Sequence, residues 1–125
     1  MISKIVDIGF RGRKNFSPIA LSKELGLAFN IMSDPTIPAK MGRYKGEKPP
    51  FGLAYYRIDF DQLENTLLFL LKNKTAIDEA GVEEIIVHLF PAENATHIES
   101  KLVHLLSELG TTIELHLSQQ ELQAA

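Results

Sequence analysis

His88, His116, Glu114 and Asp7 are the residues of this 125-residue chain whose types and positions could do chemistry together. Ile85, Val87 and Leu89 alternate with His88, and Ile113, Leu115 and Leu117 alternate with Thr112, Glu114 and His116. In a strand such alternation sends the two sets to opposite faces, so both imidazoles project from the polar side of a sheet. Asp7, Tyr55, Arg57, Asp59 and Glu114 can project onto the same side. Two imidazoles with carboxylates and an arginine are enough for a metal site or an acid/base pair. His88, His116, Glu114 and Asp7 are then the catalytic candidates, with His88 and His116 the candidate metal ligands. The alternative is that these side chains only solvate an open face, or line a subunit interface with Ile86 and Phe90. His97 and His104 are a different case: seven residues apart on a helix they stand roughly 10.5 Å apart along the axis, too far to share an ion.

Two basic clusters could bind rather than react. In "KMGRYKGEKPP", Lys40, Arg43, Lys45 and Lys48 accompany Tyr44, and with Arg57 they form a candidate binding surface. Gly46, Pro49 and Pro50 mark a turn there, and lysines also keep an edge strand from pairing with strangers. In "GFRGRKNFSP", Arg11, Arg13 and Lys14 lead into a helix N-terminus, where backbone N–H groups and the helix dipole can hold an anion. The alternative there is a solvated connecting turn. No G-x-S-x-G, H-E-x-x-H or P-loop occurs, so no hydrolase or nucleotide signature competes with these readings.

The positioning elements can be read from caps and periodicity. Ser17 is an N-cap, Pro18 occupies the first helical position, Phe16 can staple onto Leu21, and Gly26 ends the helix with Leu27 folding back. A second helix is expected over "DQLENTLLFLLKNKTAIDEAG", with Leu63, Leu67, Leu70 or Leu71 and Ile77 buried and Gly81 closing it. A third, over "THIESKLVHLLSELG", starts at a Thr96/Glu99 capping box and ends at Gly110. Strands are expected at Lys4 to Phe10, Gly52 to Phe60, Glu84 to Phe90 and Thr111 to Leu117. The stretch from Asn30 to Phe51 is too long for an empty loop, and Lys40 to Tyr44 is read as a short strand pairing antiparallel with Leu53 to Arg57. The expected fold is an α+β two-layer sandwich, a ferredoxin-like β-α-β-β-α-β core extended by a further helix and strand, with helices on one face of a mixed sheet.

Length and composition fit one domain over residues 1–125 that buries enough core to fold without staples. With no cysteine, disulfides, thiolate metal sites and cysteine nucleophiles are excluded. Lys4 and Asp7 interrupt the N-terminal apolar stretch, so a soluble cytoplasmic protein without a membrane span is expected. The formal charge of −3 conceals polarity: ten Lys/Arg against four acids up to Arg57, a balance of +6, and three against twelve thereafter, a balance of −9. That favours a charged protein partner or self-association as a homodimer, while the acidic total and the lack of an RNA-binding signature argue against nucleic acid.

The segments "FSPIALSKELGL", "RYKGEKPPFG", "DQLENTLLFLL" and "EAGVEEIIVHL", spread over Phe16 to Leu89, resemble the bacterial family called domain of unknown function 4279. The resemblance implies a fold and no catalytic residues. By analogy it implies an immunity or accessory-like binding role, and the expected reading as a whole is a small non-catalytic binding protein without a cofactor. The alternative from the residues themselves is a small metal-binding protein or enzyme built on the open sheet face.

Overall fold

A central strand organises the chain, and its sequence explains why. In the computed structural model, which describes residues 5–90 and 98–116, β1 spans Ile5–Arg13 and buries Val6, Ile8 and Phe10 at alternate positions. It pairs antiparallel with β3 (Phe51–Asp59) on one side and antiparallel with β4 (Glu84–Leu89) on the other. β2 (Asn30–Ser33) adds antiparallel outside β3, and β5 (Thr111–Leu115) adds parallel outside β4. The five-stranded sheet therefore runs β2-β3-β1-β4-β5. The parallel pairing of β4 and β5 is what a crossover through one helix requires.

Four α-helices are present among the described residues: α1 (Pro18–Leu25), α2 (Leu63–Lys72, entered through a 3-10 turn at Phe60–Gln62), α3 (Lys74–Glu79) and α4 (Ser100–Leu109). Their apolar positions join the strands in one cluster: Leu21 and Leu25 of α1, Leu63, Leu67 and Leu70 of α2, Ile77 of α3, and Leu102, Leu105, Leu106 and Leu109 of α4, with Ile85, Val87 and Leu89 of β4. The chain is thus α+β. No helix among the described residues is long and apolar enough to cross a membrane.

Phe16 shows how tightly α1 is seated. It lies over the paired glycines Gly12 and Gly52; a Cβ at Gly12 would come within 2.6 Å of the Phe16 Cβ, and one at Gly52 within 2.8 Å of its ring. α1 itself forms as its sequence dictates. Ser17 Oγ accepts from the Ala20 N–H, and Gly26 adopts φ 69° while its N–H donates to Ser22.

Three expectations are corrected. The long helix after Asp61 is broken at Asn73 (φ −106°, ψ 18°) into α2 and α3. Asn73 Nδ2 donates to the Phe69 carbonyl, the local side-chain bonding through which asparagine disfavours helix interiors. The strand expected at Lys40 to Tyr44 is not formed; the strand that pairs with β3 is Asn30–Ser33. Gly42 and Gly46 take φ 84° and 82°, so the segment turns twice and makes a single parallel bridge, Ala39 with Lys45. β1 also runs on to Arg13, three residues past its expected end at Phe10. Thr96, His97 and Leu117 lie outside the described residues, and α4 is entered from Glu99 without a side-chain cap.

Candidate functional site

The two histidines separated by 28 positions meet on the face of the sheet opposite the core. Parallel register pairs His88 with Glu114, and the His116 N–H donates to the Leu89 carbonyl at 2.9 Å, which carries the ladder one residue past β5. His88 Nδ1 and His116 Nε2 are consequently 2.8 Å apart. Glu114 sits above them, one carboxylate oxygen 3.9 Å from His88 Nδ1 and the other 3.9 Å from His116 Nε2. One donor atom from each residue falls within 4.8 Å of the other two. The imidazole of His88 is 12% exposed, that of His116 38%, and the Glu114 side chain 54%. The inner donor is therefore fixed and the outer carboxylate is free to swing.

Aromatic rings hold the imidazoles in place. Phe90 stacks on His116 with centroids 4.6 Å apart, and Tyr55 meets His88 edge-on at 5.5 Å. Gly9 makes room for this arrangement, since a Cβ there would lie 3.0 Å from the Tyr55 ring and 3.6 Å from His88 Nε2. That Nε2 is buried and has no hydrogen-bond partner among the described residues. The neutral pair accommodates it most cheaply when His88 Nδ1 carries the proton and donates to His116, leaving only a lone pair on Nε2.

Asp7, the fourth catalytic candidate, stands beside His88 in register but faces Arg57. The guanidinium grips its carboxylate in a bidentate pair at 2.8 and 2.9 Å. That hydrogen bond and charge raise the Arg57 pKa above its ordinary value. Asp7 and Arg57 therefore satisfy each other, and neither joins the histidine cluster. Arg57 lies within β3, whereas Lys40, Arg43, Tyr44, Lys45 and Lys48 all lie on the loop between β2 and β3.

The basic turn before α1 is not assembled into an anion site. Arg11 pairs with Glu84, and Arg13 with Glu83 at 3.4 Å, both acids belonging to the start of β4. The helix N-terminus already has its anion. Asp34 Oδ2 accepts from the Ile19 N–H at 2.9 Å and from Ser17 Oγ at 2.8 Å, while Oδ1 accepts from the N–H and hydroxyl of Thr36. Lys14 alone of the three has no ion-pair partner among the described residues. Asp34 escaped the sequence reading, although "SDPT" carries the signature of an aspartate that bonds its own backbone two residues on.

No protein-family model, curated protein or solved structure matches this chain. The site must be interpreted from its chemistry. Two imidazole nitrogens and a carboxylate could offer an ion an N2O donor set. A tetrahedral ion at about 2.0–2.1 Å from each donor separates neighbouring donors by about 3.3 Å. Closing on an ion therefore parts the nitrogens by roughly half an ångström and draws Glu114 in by a similar amount, a motion its exposure permits.

Proposed function

We propose that this chain binds a divalent transition metal through His88, His116 and Glu114. The observation that carries the reading is the 2.8 Å approach of His88 Nδ1 and His116 Nε2 with Glu114 3.9 Å from each. Imidazole with one carboxylate suits zinc, nickel, copper or cobalt better than calcium or magnesium, which prefer all-oxygen shells. Once Nδ1 of His88 holds an ion, its proton must reside on Nε2, which is buried and meets no acceptor among the described residues. The outer shell is thus weakly polar, and the centre binds less tightly than one whose histidines donate to acids.

The test is a titration of the full chain with cobalt(II), read by visible absorption, and with zinc in competition against a chromogenic chelator. One equivalent is expected. His88→Ala and His116→Ala should each weaken binding by more than the roughly 10–100-fold that outer-shell losses cost, with Glu114→Gln less severe. Protons compete for the same nitrogens, so affinity falls on acidification. Folded protein that takes up none of cobalt, zinc or nickel, or a His88→Ala/His116→Ala variant that binds as the wild type does, overturns the reading.

The finer fold reading belongs to the same proposal: a ferredoxin-like split βαβ core in two layers, with α4 and β5 appended. It is supported by the antiparallel pairing of β1 with both β3 and β4, and by a core confined to one side of those strands. The expected role as a binding or self-associating domain, immunity or accessory-like, is compatible with a bound metal and draws its support from a different surface.

A further inference from the structure

We propose that the loop between β2 and β3 docks an acidic segment of a partner protein, one that carries large apolar side chains. This inference is independent of the metal centre. A concavity of about 380 Å³ lies between α1, β2 and the loop, lined by Ile19, Ile31, Met32, Ile37, Pro38 and Met41. Met32 is 59% exposed and Met41 81%, so two of the chain's three methionines stand in water at one site. Unbranched, polarizable methionine adapts to differently shaped partners and is favoured at surfaces that take peptides.

Charge chooses the partner. Lys40 lines the concavity, and Arg43, Lys45 and Lys48 are exposed on the same loop. None of the four forms an ion pair with a described residue, whereas Arg11, Arg13, Arg57, Lys74 and Lys101 each do. Glu47 is the one acid among them, and Asp34, which also borders the concavity, is buried with its carboxylate turned to four hydrogen-bond donors of the chain itself. Unpaired cations around an apolar hollow complement a segment that alternates or mixes carboxylates with apolar anchors.

The surface is held in shape before any partner arrives. The Ala39 N–H donates to Glu47 at 2.9 Å and the Gly46 N–H to Ala39 at 2.8 Å. Tyr44 packs edge-on against Phe51 with centroids 6.2 Å apart, and Arg43 lies 5.6 Å over the Tyr44 ring. Little ordering then remains to be done on binding. The same contacts disfavour a nucleic acid: Tyr44, the one aromatic within the loop, already packs against Phe51 and carries Arg43 over its ring, so a base would have to compete for it.

A displayed library of random peptides, panned on the full chain, tests this directly. Enriched peptides should combine Asp or Glu with Leu, Ile, Phe or Met. Measured singly by fluorescence anisotropy, they should lose at least about tenfold in affinity, about 1.4 kcal/mol, with Lys40→Glu/Arg43→Glu/Lys45→Glu/Lys48→Glu, and as much with Met32→Ser/Ile37→Ser/Met41→Ser. All seven positions are surface positions, and circular dichroism verifies that each variant is folded. The proposal is overturned by panning without enrichment, by winners that lack acids, or by winners that bind both variants undiminished. It is equally overturned if a single-stranded RNA oligonucleotide binds the wild type more tightly than any selected peptide.

Discussion

Asp34 is the one buried charged side chain among the described residues, 2% exposed, and it joins the start of α1 to the start of the basic loop. Burial opposes its charge, yet the bonds from the Thr36 hydroxyl, the Ile19 and Thr36 N–H groups and the Ser17 hydroxyl outweigh burial and lower its pKa below the ordinary 3.8. Asp34→Asn turns an amide toward donors that need an acceptor, so the variant should be less stable by roughly 2–3 kcal/mol at neutral pH. The sign of the pH dependence follows from the depressed pKa. The contribution is fully present above the ordinary aspartate value and is lost as pH falls through the lower, folded-state one. Urea denaturation of the wild type and Asp34→Asn should therefore show a gap that is constant near neutrality and narrows only in strong acid. A gap unchanged down to strongly acidic pH would mean that the carboxylate's charge contributes nothing.

At the scale of elements, the metal centre would act as a clip. Among the described residues β5 is an edge strand bonded to β4 alone, with Thr112, Ile113 and Glu114 exposed. His88 comes from β4 while Glu114 and His116 come from β5 and the residue just beyond it, so an ion ties the outer strand to its neighbour. At free zinc a hundredfold above Kd the bound state gains about 2.7 kcal/mol. Amides of β5 should exchange up to about a hundredfold more slowly with zinc present, those of β2 at the opposite edge should not change, and His88→Ala should abolish the difference. Protection spread equally over both edges would point to binding elsewhere. Period-two alternation alone put His88, Glu114 and His116 on one face, because a sheet with one wet side enforces it. Strand order was not legible, and with it the pairing of Asp7 with Arg57. Asn73 and the segment from Lys40 to Tyr44 failed for a local reason: side-chain bonding at the asparagine, and left-handed backbone at Gly42 and Gly46, override a pattern that looks helical or extended.

For the whole molecule, the charge polarity of the sequence largely dissolves in the fold. Adjacent strands bring Arg11 and Arg13 of the basic half against Glu84 and Glu83 of the acidic half, so much of the surface is mixed. Among the described residues a predominantly basic region survives at the loop carrying Lys40, Arg43, Lys45 and Lys48, with Glu47 its one acid. Stability and recognition should consequently respond differently to salt. Exposed ion pairs contribute little to folding, so the urea midpoint should barely move between low and physiological ionic strength. Association with an acidic, apolar peptide is steered by unpaired charge and should slow by about tenfold or more over the same range. In the fourfold charge-reversed variant that slowing should vanish or invert, because the field meeting the peptide has changed sign. Stopped-flow mixing at several salt concentrations separates the two contributions of the surface. If the wild-type rate is indifferent to salt while the peptide still binds, the cations do not steer, and the hollow between Met32, Ile37 and Met41 alone selects the partner.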